Sequence, residues 1–373
     1  MKELNIGRML TENRRKRGIT QEELAEYVGV SKASVSKWET GATYPDITLL
    51  PQLATFFNIS IDELMGYEPQ MTKADIRRLY GQICRDFSTK PFDEVMEHCR
   101  EITKKYFSCA PLLFQIGSLY VNHCVLAGTP EGTLAVLEEA ASLFVRVREE
   151  SEQAALADQA VNMEALCLLK LGRGEEALEL LADSVPLRMA PEPLLSEAFR
   201  ITGNHEEAAR VLQAGIYQTV LELINLLLPY MDLCGEKDSS LEETCRRTLA
   251  VADAFELRTL HPGILLTAYL SIAQEFVKHG KTEKALDMLE RYGALAASDI
   301  YPLKLHGDSY FTLLDGWLEE NLPLGSSTPR SEDLIRKDIL EALTAAPAFA
   351  GLSDNTRFQN IIRRLADGME VKK

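Results

Sequence analysis

The sequence predicts an all-α protein, and three observations carry that expectation. Strand-like alternation bounded by turn residues is nearly absent. Apolar residues recur instead at i, i+3, i+4 and i+7 through most of the chain, the spacing of a helix with one buried face. A short phrase in which one helix ends at glycine and the next opens on acidic residues returns several times, as in Leu171-Gly172-Arg173-Gly174-Glu175-Glu176-Ala177-Leu178. The chain has 373 residues, of which 46% are hydrophobic and 26% charged, with 22 Gly and 15 Pro. That composition excludes wholesale disorder and collagen-like or linker-dominated chains, and the length suggests roughly two to three domains.

Net charge is −16, which taken whole argues against a protein coated in positive charge. The total divides unevenly: residues 1–66 carry 8 Lys plus Arg against 9 Asp plus Glu, a net of −1, and leave −15 to the remaining 307 residues. The acidity therefore belongs to the later part and says little against a nucleic-acid reader in the first. Seven cysteines without a Cys-x-x-Cys pair exclude zinc-ribbon and thioredoxin readings. With no signal-like start, and the apolar stretch Leu221–Met231 broken by Glu222, Asn225 and Pro229, the expectation is a cytoplasmic protein with no membrane partner and with reduced, mostly buried thiols.

Five short helices are expected in residues 1–66. The first runs from about Asn5 to Arg17 and stops at Gly18. Thr20-Gln21-Glu22-Glu23 opens the second as a capping box, and Ser60-Ile61-Asp62-Glu63 opens the last in the same way. A third helix follows Ser31, and a fourth starts near Asp46 or Thr48, late enough to accommodate Pro51. The second and third meet through Gly29-Val30-Ser31, where Ala25 permits close approach and Gly29 a positive φ. Leu24, Val28, Val35 and Trp38 fill a small core, giving a helix-turn-helix pattern. Arg14-Arg15-Lys16-Arg17 places a basic cluster at the first helix's C-terminus, which the helix dipole also favours.

Over about 60 residues this order of parts resembles the Cro/repressor (XRE) type of DNA-binding domain, a five-helix lambda-repressor-like fold. The matching stretches include Thr20-Gln21-Glu22-Glu23-Leu24-Ala25, Val28-Gly29-Val30-Ser31, Val35-Ser36-Lys37-Trp38-Glu39 and Ile59-Ser60-Ile61-Asp62-Glu63-Leu64. The resemblance implies a third helix lying in the major groove of a double-stranded operator. With Val35 and Trp38 inward, Lys32, Ala33, Ser36 and Lys37 face the base edges. Gln21, Ser34 and Thr43 are the implied phosphate contacts, and Arg14 with Glu39 the implied structural ion pair.

After a short linker at 67–71, residues 72–373 read as a helical repeat array. The phrase above returns at Thr202-Gly203-Asn204-His205-Glu206-Glu207-Ala208-Ala209 and at His279-Gly280-Lys281-Thr282-Glu283-Lys284-Ala285-Leu286, with weaker copies around Gly128 and Gly235. This resembles a tetratricopeptide (TPR) repeat, in which small residues of paired helices meet, here Ala165 with Ala177 and Ala273 with Ala285. The array is irregular, with about seven helix pairs, an exposed loop at Gly325–Pro329, and a capping helix at the end. Such stacks form an α-solenoid. Counting ten residues back from the phrase glycines selects Asn162 and Asn225 as groove residues able to clamp an extended peptide, while Pro193 in the same count shows the column is imperfect. Asn122, Gln159, Lys170, Gln274 and Lys278 occupy neighbouring groove positions by the same count.

An XRE-type reader joined to such repeats resembles bacterial peptide-sensing regulators of the RNPP and arbitrium groups. In those families the repeats dimerise the protein and bind a short peptide. The implied protein is a homodimeric transcriptional regulator with a peptide or other ligand in the repeat groove. Two alternatives stay open: a DNA-tethered module whose repeats bind a protein partner, and an adaptor whose reader has lost DNA affinity. No catalytic residue, metal site or cofactor is expected. Gly280-Lys281-Thr282 lacks the earlier glycine of a phosphate loop, Glu275 standing there. His98-Cys99 and His123-Cys124 are adjacent pairs whose side chains diverge by about 100° on a helix.

Overall fold

A computed structural model describes residues 5–66, 70–182, 190–234 and 238–370. Among these residues the protein is helical, with no strand and one isolated antiparallel bridge, Lys304 to Ser327. The all-α expectation is met. Residues 67–69 of the linker expected at 67–71, and the weak repeat copy at Gly235, lie outside the described residues.

The first five helices are α1 (Ile6–Lys16), α2 (Gln21–Val28), α3 (Lys32–Glu39), α4 (Leu50–Phe57) and α5 (Ile61–Met65). Both capping boxes form: Thr20 Oγ1 accepts from the Glu23 amide at 3.2 Å while the Thr20 amide donates to Glu23 at 2.7 Å, and Ser60 pairs with Glu63 in the same way. Ser31 accepts from the Ser34 amide at the start of α3. Pro51 falls in the first turn of α4, after a 3-10 turn at Ile47–Leu49, so its missing N–H leaves no helix bond unmade. Leu10, Leu24, Val35, Leu53 and Leu64 form the centre of the core. Gly7 lets α1 approach the end of α3; a Cβ there would lie 2.5 Å from the Trp38 carbonyl oxygen.

Glu39 ties three helices together. Arg14 Nε donates to its Oε1 at 2.6 Å and a second guanidinium nitrogen to Oε2 at 3.0 Å, the Glu39 side chain being buried and that of Arg14 partly so. Gln21 of α2 donates to the same Oε2 at 2.8 Å, and Arg14 also donates to the Ile19 carbonyl. Burial alone would raise the Glu39 carboxyl; the hydrogen bonds from Arg14 and Gln21 hold it below the usual carboxylate range.

The later helices are α6 (Lys73–Thr89), α7 (Phe92–Lys105), α8 (Ala110–His123), α9 (Pro130–Glu150), α10 (Ala154–Lys170), α11 (Gly174–Leu181), α12 (Glu192–Ile201), α13 (His205–Asp232), α14 (Asp238–Ala254), α15 (Leu257–Leu260), α16 (Pro262–Lys278), α17 (Thr282–Ala296), α18 (Leu314–Asn321), α19 (Glu332–Thr344) and α20 (Thr356–Glu370). The chain divides into two compact units. One holds Met1–Ile76, Met96–Gly117 and Ala140–Glu164; the other holds Arg77–Val95, Ser118–Glu139 and Ala165–Lys373. In the first, Phe144 packs edge-on against Phe114 and lies so close to Gly117 that a Cβ there would meet its ring at 2.8 Å.

In the second unit the recurring phrase is one recurring turn. After α10, α12 and α16, glycines 172, 203 and 280 take φ of 75°, 82° and 67°. The next residue's amide then reaches back to the carbonyl five residues earlier, at 2.8 Å each time: Arg173 to Leu168, Asn204 to Phe199, Lys281 to Phe276. This is a Schellman stop, which needs a left-handed residue and explains the glycine. Ala165, Ala177, Ala273 and Ala285 are all buried. Near the C-terminus, Phe349, Phe358, Ile361 and Leu365 bury themselves, and Arg357 of α20 binds Glu283, Asp287 and Glu290 of α17.

Two expectations are corrected. The helix opened after Gly203 does not stop after one repeat: α13 runs 28 residues through Pro229 and absorbs the stretch that sequence spacing had assigned to another repeat. Neighbouring packing and its apolar content outweigh the proline. The loop at 325–329, expected to be exposed, is so only at Ser327 and Pro329; Gly325 is buried, Pro329 accepts from Tyr80 and Cys84, and Glu319 from the Ser326 amide. Two helical stretches, Ala110–Ala127 and His205–Asp232, are long and apolar enough by composition to cross a membrane, 56% of the first window and 22% of the second being buried. Six of the seven thiols are buried and none is bridged.

Breaking the Glu39 lock is expected to be costly. Arg14→Met leaves a buried carboxylate without its main partner, a loss of about 3 kcal/mol. Hydrogen exchange on the full chain should show α1–α3 amides opening more readily, and adding Glu39→Leu should restore part of the protection. A second prediction concerns His123, stacked on Phe87 at 4.4 Å, with Nδ1 2.9 Å from the Leu119 carbonyl oxygen and Nε2 buried without a partner. Burial lowers its pKa to about 4. The unfolded imidazole therefore takes a proton first, and stability should fall by up to about 3 kcal/mol between pH 6.5 and pH 4. His123→Phe should lose that component of the acid denaturation profile; an unchanged profile would assign it elsewhere.

Candidate nucleic-acid interface

The turn between α2 and α3 follows from three local choices. Gly29 ends α2 at φ 73°, the Val30 amide reaches back to the Ala25 carbonyl at 2.9 Å, and Ser31 caps α3. Val35 and Trp38 then point into the core and the opposite face of α3 is open. On that face Lys32, Ala33 and Lys37 are exposed and Ser36 half-buried, so the four base-edge candidates share one helix. Lys32 Nζ lies 3.3 Å from Glu22 Oε2, and both side chains are solvent-exposed, a pair that water and salt readily loosen.

The phosphate candidates divide. Thr43 is exposed in the turn after α3, its amide donating to the Lys37 carbonyl at 3.3 Å. Ser34 is half-buried, and its hydroxyl shares a hydrogen bond with Ser31 at 2.9 Å. The Gln21 side chain is held by Glu39, so what Gln21 offers outward is its backbone at the start of α2, where helix amides lack internal partners. Of the basic cluster, Arg14 turns inward to Glu39. Arg15, Lys16 and Arg17 stay exposed, with the Arg17 guanidinium 4.9 Å above the Phe56 ring.

Sequence spacing did not find the Gln21–Glu39 bond or the Glu22–Lys32 pair, because both join residues far apart in sequence through side-chain rotamers. It also passed over Tyr44, exposed beside Thr43 in the same turn.

The groove candidates are less unified. Gln159 and Asn162 are exposed on α10 in the first unit. Lys170, Asn225, Gln274, Lys278 and Asn122 belong to the second. Asn122 is half-buried and donates to the Tyr80 hydroxyl at 3.4 Å. Lys278 binds Asp232 and Glu275, each at 2.6 Å. Lys170 and Asn225 are exposed and Gln274 half-buried. Asn225 sits late on α13, the helix that opens after Gly203, so it is not on a separate first helix as the repeat count had it. What the polar column missed is an apolar recess of about 400 Å³ beside α13, lined by Pro193, Leu212, Ile216, Thr219, Leu223 and Phe255 among others.

Comparison with known proteins bears on the N-terminal part. Residues 10–64 match the helix-turn-helix family model. The HTH-type transcriptional activator BcrR of Enterococcus faecalis is 34% identical over 86 residues, which are 21% of this chain and 42% of that protein. The HTH-type transcriptional regulator ImmR of Bacillus subtilis (strain 168) is 35% identical over 63 residues, 17% of this chain and 50% of that one. The chain thus spans about half the length of the curated relatives it matches. Among solved structures, the apo form of the competence regulator ComR from Streptococcus vestibularis aligns with 79% of this chain and 92% of its own, at 13% identity and a TM-score of 0.27. The capped helices, the left-handed Gly29, the buried Val35 and Trp38 and the family match agree: residues 10–64 form a helix-turn-helix domain of the XRE type.

Proposed function

We propose that the protein is a DNA-binding transcriptional regulator, cytoplasmic and active as a homodimer, whose α3 reads the major groove of an operator. The observation that carries this reading is the open face of α3, with Lys32, Ala33 and Lys37 exposed on a helix fixed from behind by Val35, Trp38 and the Glu39 lock. The match of residues 10–64 and the names of the relatives support it. Lys32 and Lys37 donate to guanine O6 and N7, the Ala33 methyl meets a thymine methyl, and Ser36 bonds either neighbour. Thr43, Ser34 and the backbone at Gln21 hold phosphates and set the register. Two such readers on one operator require half-sites about 34 Å apart or a multiple of that.

The helical array holds the two copies together and takes a short peptide against an exposed amide, Asn162 in the first unit or Asn225 in the second, either of which can donate and accept along an extended backbone. A peptide regulates only if it binds one of two states more tightly, so the array needs two arrangements that space the readers differently.

The test uses the full chain and fragments selected from the source genome. Affinity should fall linearly in log–log terms as salt rises. Lys32→Ala with Lys37→Ala should weaken binding at least about tenfold at fixed salt, each contact being worth about 1–3 kcal/mol. Unchanged affinity would remove α3 as the reader. In a second assay, Asn162→Ala or Asn225→Ala should blunt the response of DNA binding to cell extract without changing helical content. A normal response from both would leave those amides as plain surface.

A further inference from the structure

We infer that the open flank of α13 is a self-association seam, occupied by α13 of a second copy running antiparallel. This deepens the dimer reading above and rests on it.

The sequence pattern is specific. Leu212, Ile216, Thr219, Leu223, Leu226, Tyr230 and Leu233 follow one another at alternating steps of four and three residues. That is the 3.5-residue period of a seam between two helices, sustained over three heptads. Apart from Ile216, which is half-buried and also packs on the core, it is separate from the stripe α13 uses for its own core, where Ala214, Tyr217, Val220, Ile224 and Met231 are buried. The seam is open: Leu223 is 41% exposed, Leu226 59%, Tyr230 56% and Leu233 80%. Four large apolar side chains exposed in a row on one helix form a contiguous patch of the kind that marks a protein contact rather than scattered surface hydrophobics.

The shape selects the occupant. The N-terminal half of the seam, Leu212 to Leu223, forms one wall of the 400 Å³ recess, and the C-terminal half projects Leu226, Tyr230 and Leu233 into solvent. One half is a hole and the other a knob, on the same helix. A two-fold contact must be self-complementary. A two-fold axis between Ile224 and Asn225 achieves this with antiparallel helices. It sets Leu223 against Leu226, Thr219 against Tyr230 and Ile216 against Leu233 of the other copy, each pair occurring twice. Parallel pairing would set knob against knob and recess against recess. The antiparallel register also places Glu222 nearer Pro229 of the second copy than its own equivalent, which avoids a like-charge contact. Glu192 lies in the recess wall, where Gly215 leaves room for its stem; a Cβ at Gly215 would come 2.8 Å from the Glu192 Cγ. Its carboxylate is the acceptor that an incoming Tyr230 hydroxyl requires once buried.

Sedimentation equilibrium on the full chain without DNA tests this. The wild type should sediment as twice its 41.7 kDa. Leu226→Glu with Tyr230→Glu should raise the dissociation constant at least about a hundredfold while helical content by circular dichroism stays unchanged, since both side chains are exposed in the single chain. As a positive control of register, the Thr219→Cys, Tyr230→Cys double variant should form a covalent dimer on mild oxidation, and Thr219→Cys alone should not. A wild type that dimerises equally well with both glutamates would overturn the seam and leave the dimer reading standing. A wild type monomeric at tens of micromolar would overturn both, and if that monomer bound neutral phosphatidylcholine vesicles the stripe would belong to a membrane surface instead.

Discussion

The proposed reading face of this protein depends on one buried carboxylate. Glu39 stands at the end of α3 and accepts from Arg14 of α1 and Gln21 of α2, so three helices converge on one group. The desolvation of Glu39 is costly and is offset only when both donors are in place. That requirement makes the lock directional. If α1 slips along α3, the carboxylate is left unpaired, and Gly7 against the Trp38 carbonyl removes any slack on the same contact. With the rear of α3 fixed in this way, the helix backbone that carries Lys32, Ala33, Ser36 and Lys37 is held in place, although the lysine side chains themselves stay solvent-exposed. A reader needs this, because base discrimination comes from donors already placed when DNA arrives.

Much of the fold was legible because it is written in short-range rules. Thr20 with Glu23 and Ser60 with Glu63 announce helix starts, and Gly29, Gly172, Gly203 and Gly280 announce stops that only a left-handed residue satisfies. Each rule spans five or six residues, and each formed as read. The failures came where a longer-range balance decides. The repeat count ends the helix after Gly203 within one repeat, yet α13 continues through Pro229, because burial on one flank and apolar content outweigh one missing hydrogen bond. Gly325 to Pro329 reads as an exposed loop, yet Gly325 is buried, and Tyr80 and Cys84, far away in sequence, hold Pro329.

The candidate site shows the same division. The position of Lys32, Ala33, Ser36 and Lys37 on one face follows from helical spacing once Val35 and Trp38 are placed inward. The engagement of the Gln21 side chain with Glu39 does not, since it depends on a rotamer choice between two helices. In the array, the search for polar groove residues passed over the heptad on α13, although its four-three alternation stands in the sequence. The repeat count split that stretch between two units and so concealed a single 28-residue helix.

The net charge fits this division of labour. The acidic total belongs to residues after 66, many of them glutamates at helix starts, and if α3 is the reader, repulsion from phosphate would keep the array from competing with it for the duplex. The claim that α3 is the reader is tested most directly by selecting preferred sites from a random DNA library with the wild type and with Lys37→Gln. The account predicts that the preferred base changes at one position in each half-site, from guanine toward adenine, while the rest of the motif stays the same. An identical motif from both proteins, or none from either, would contradict it.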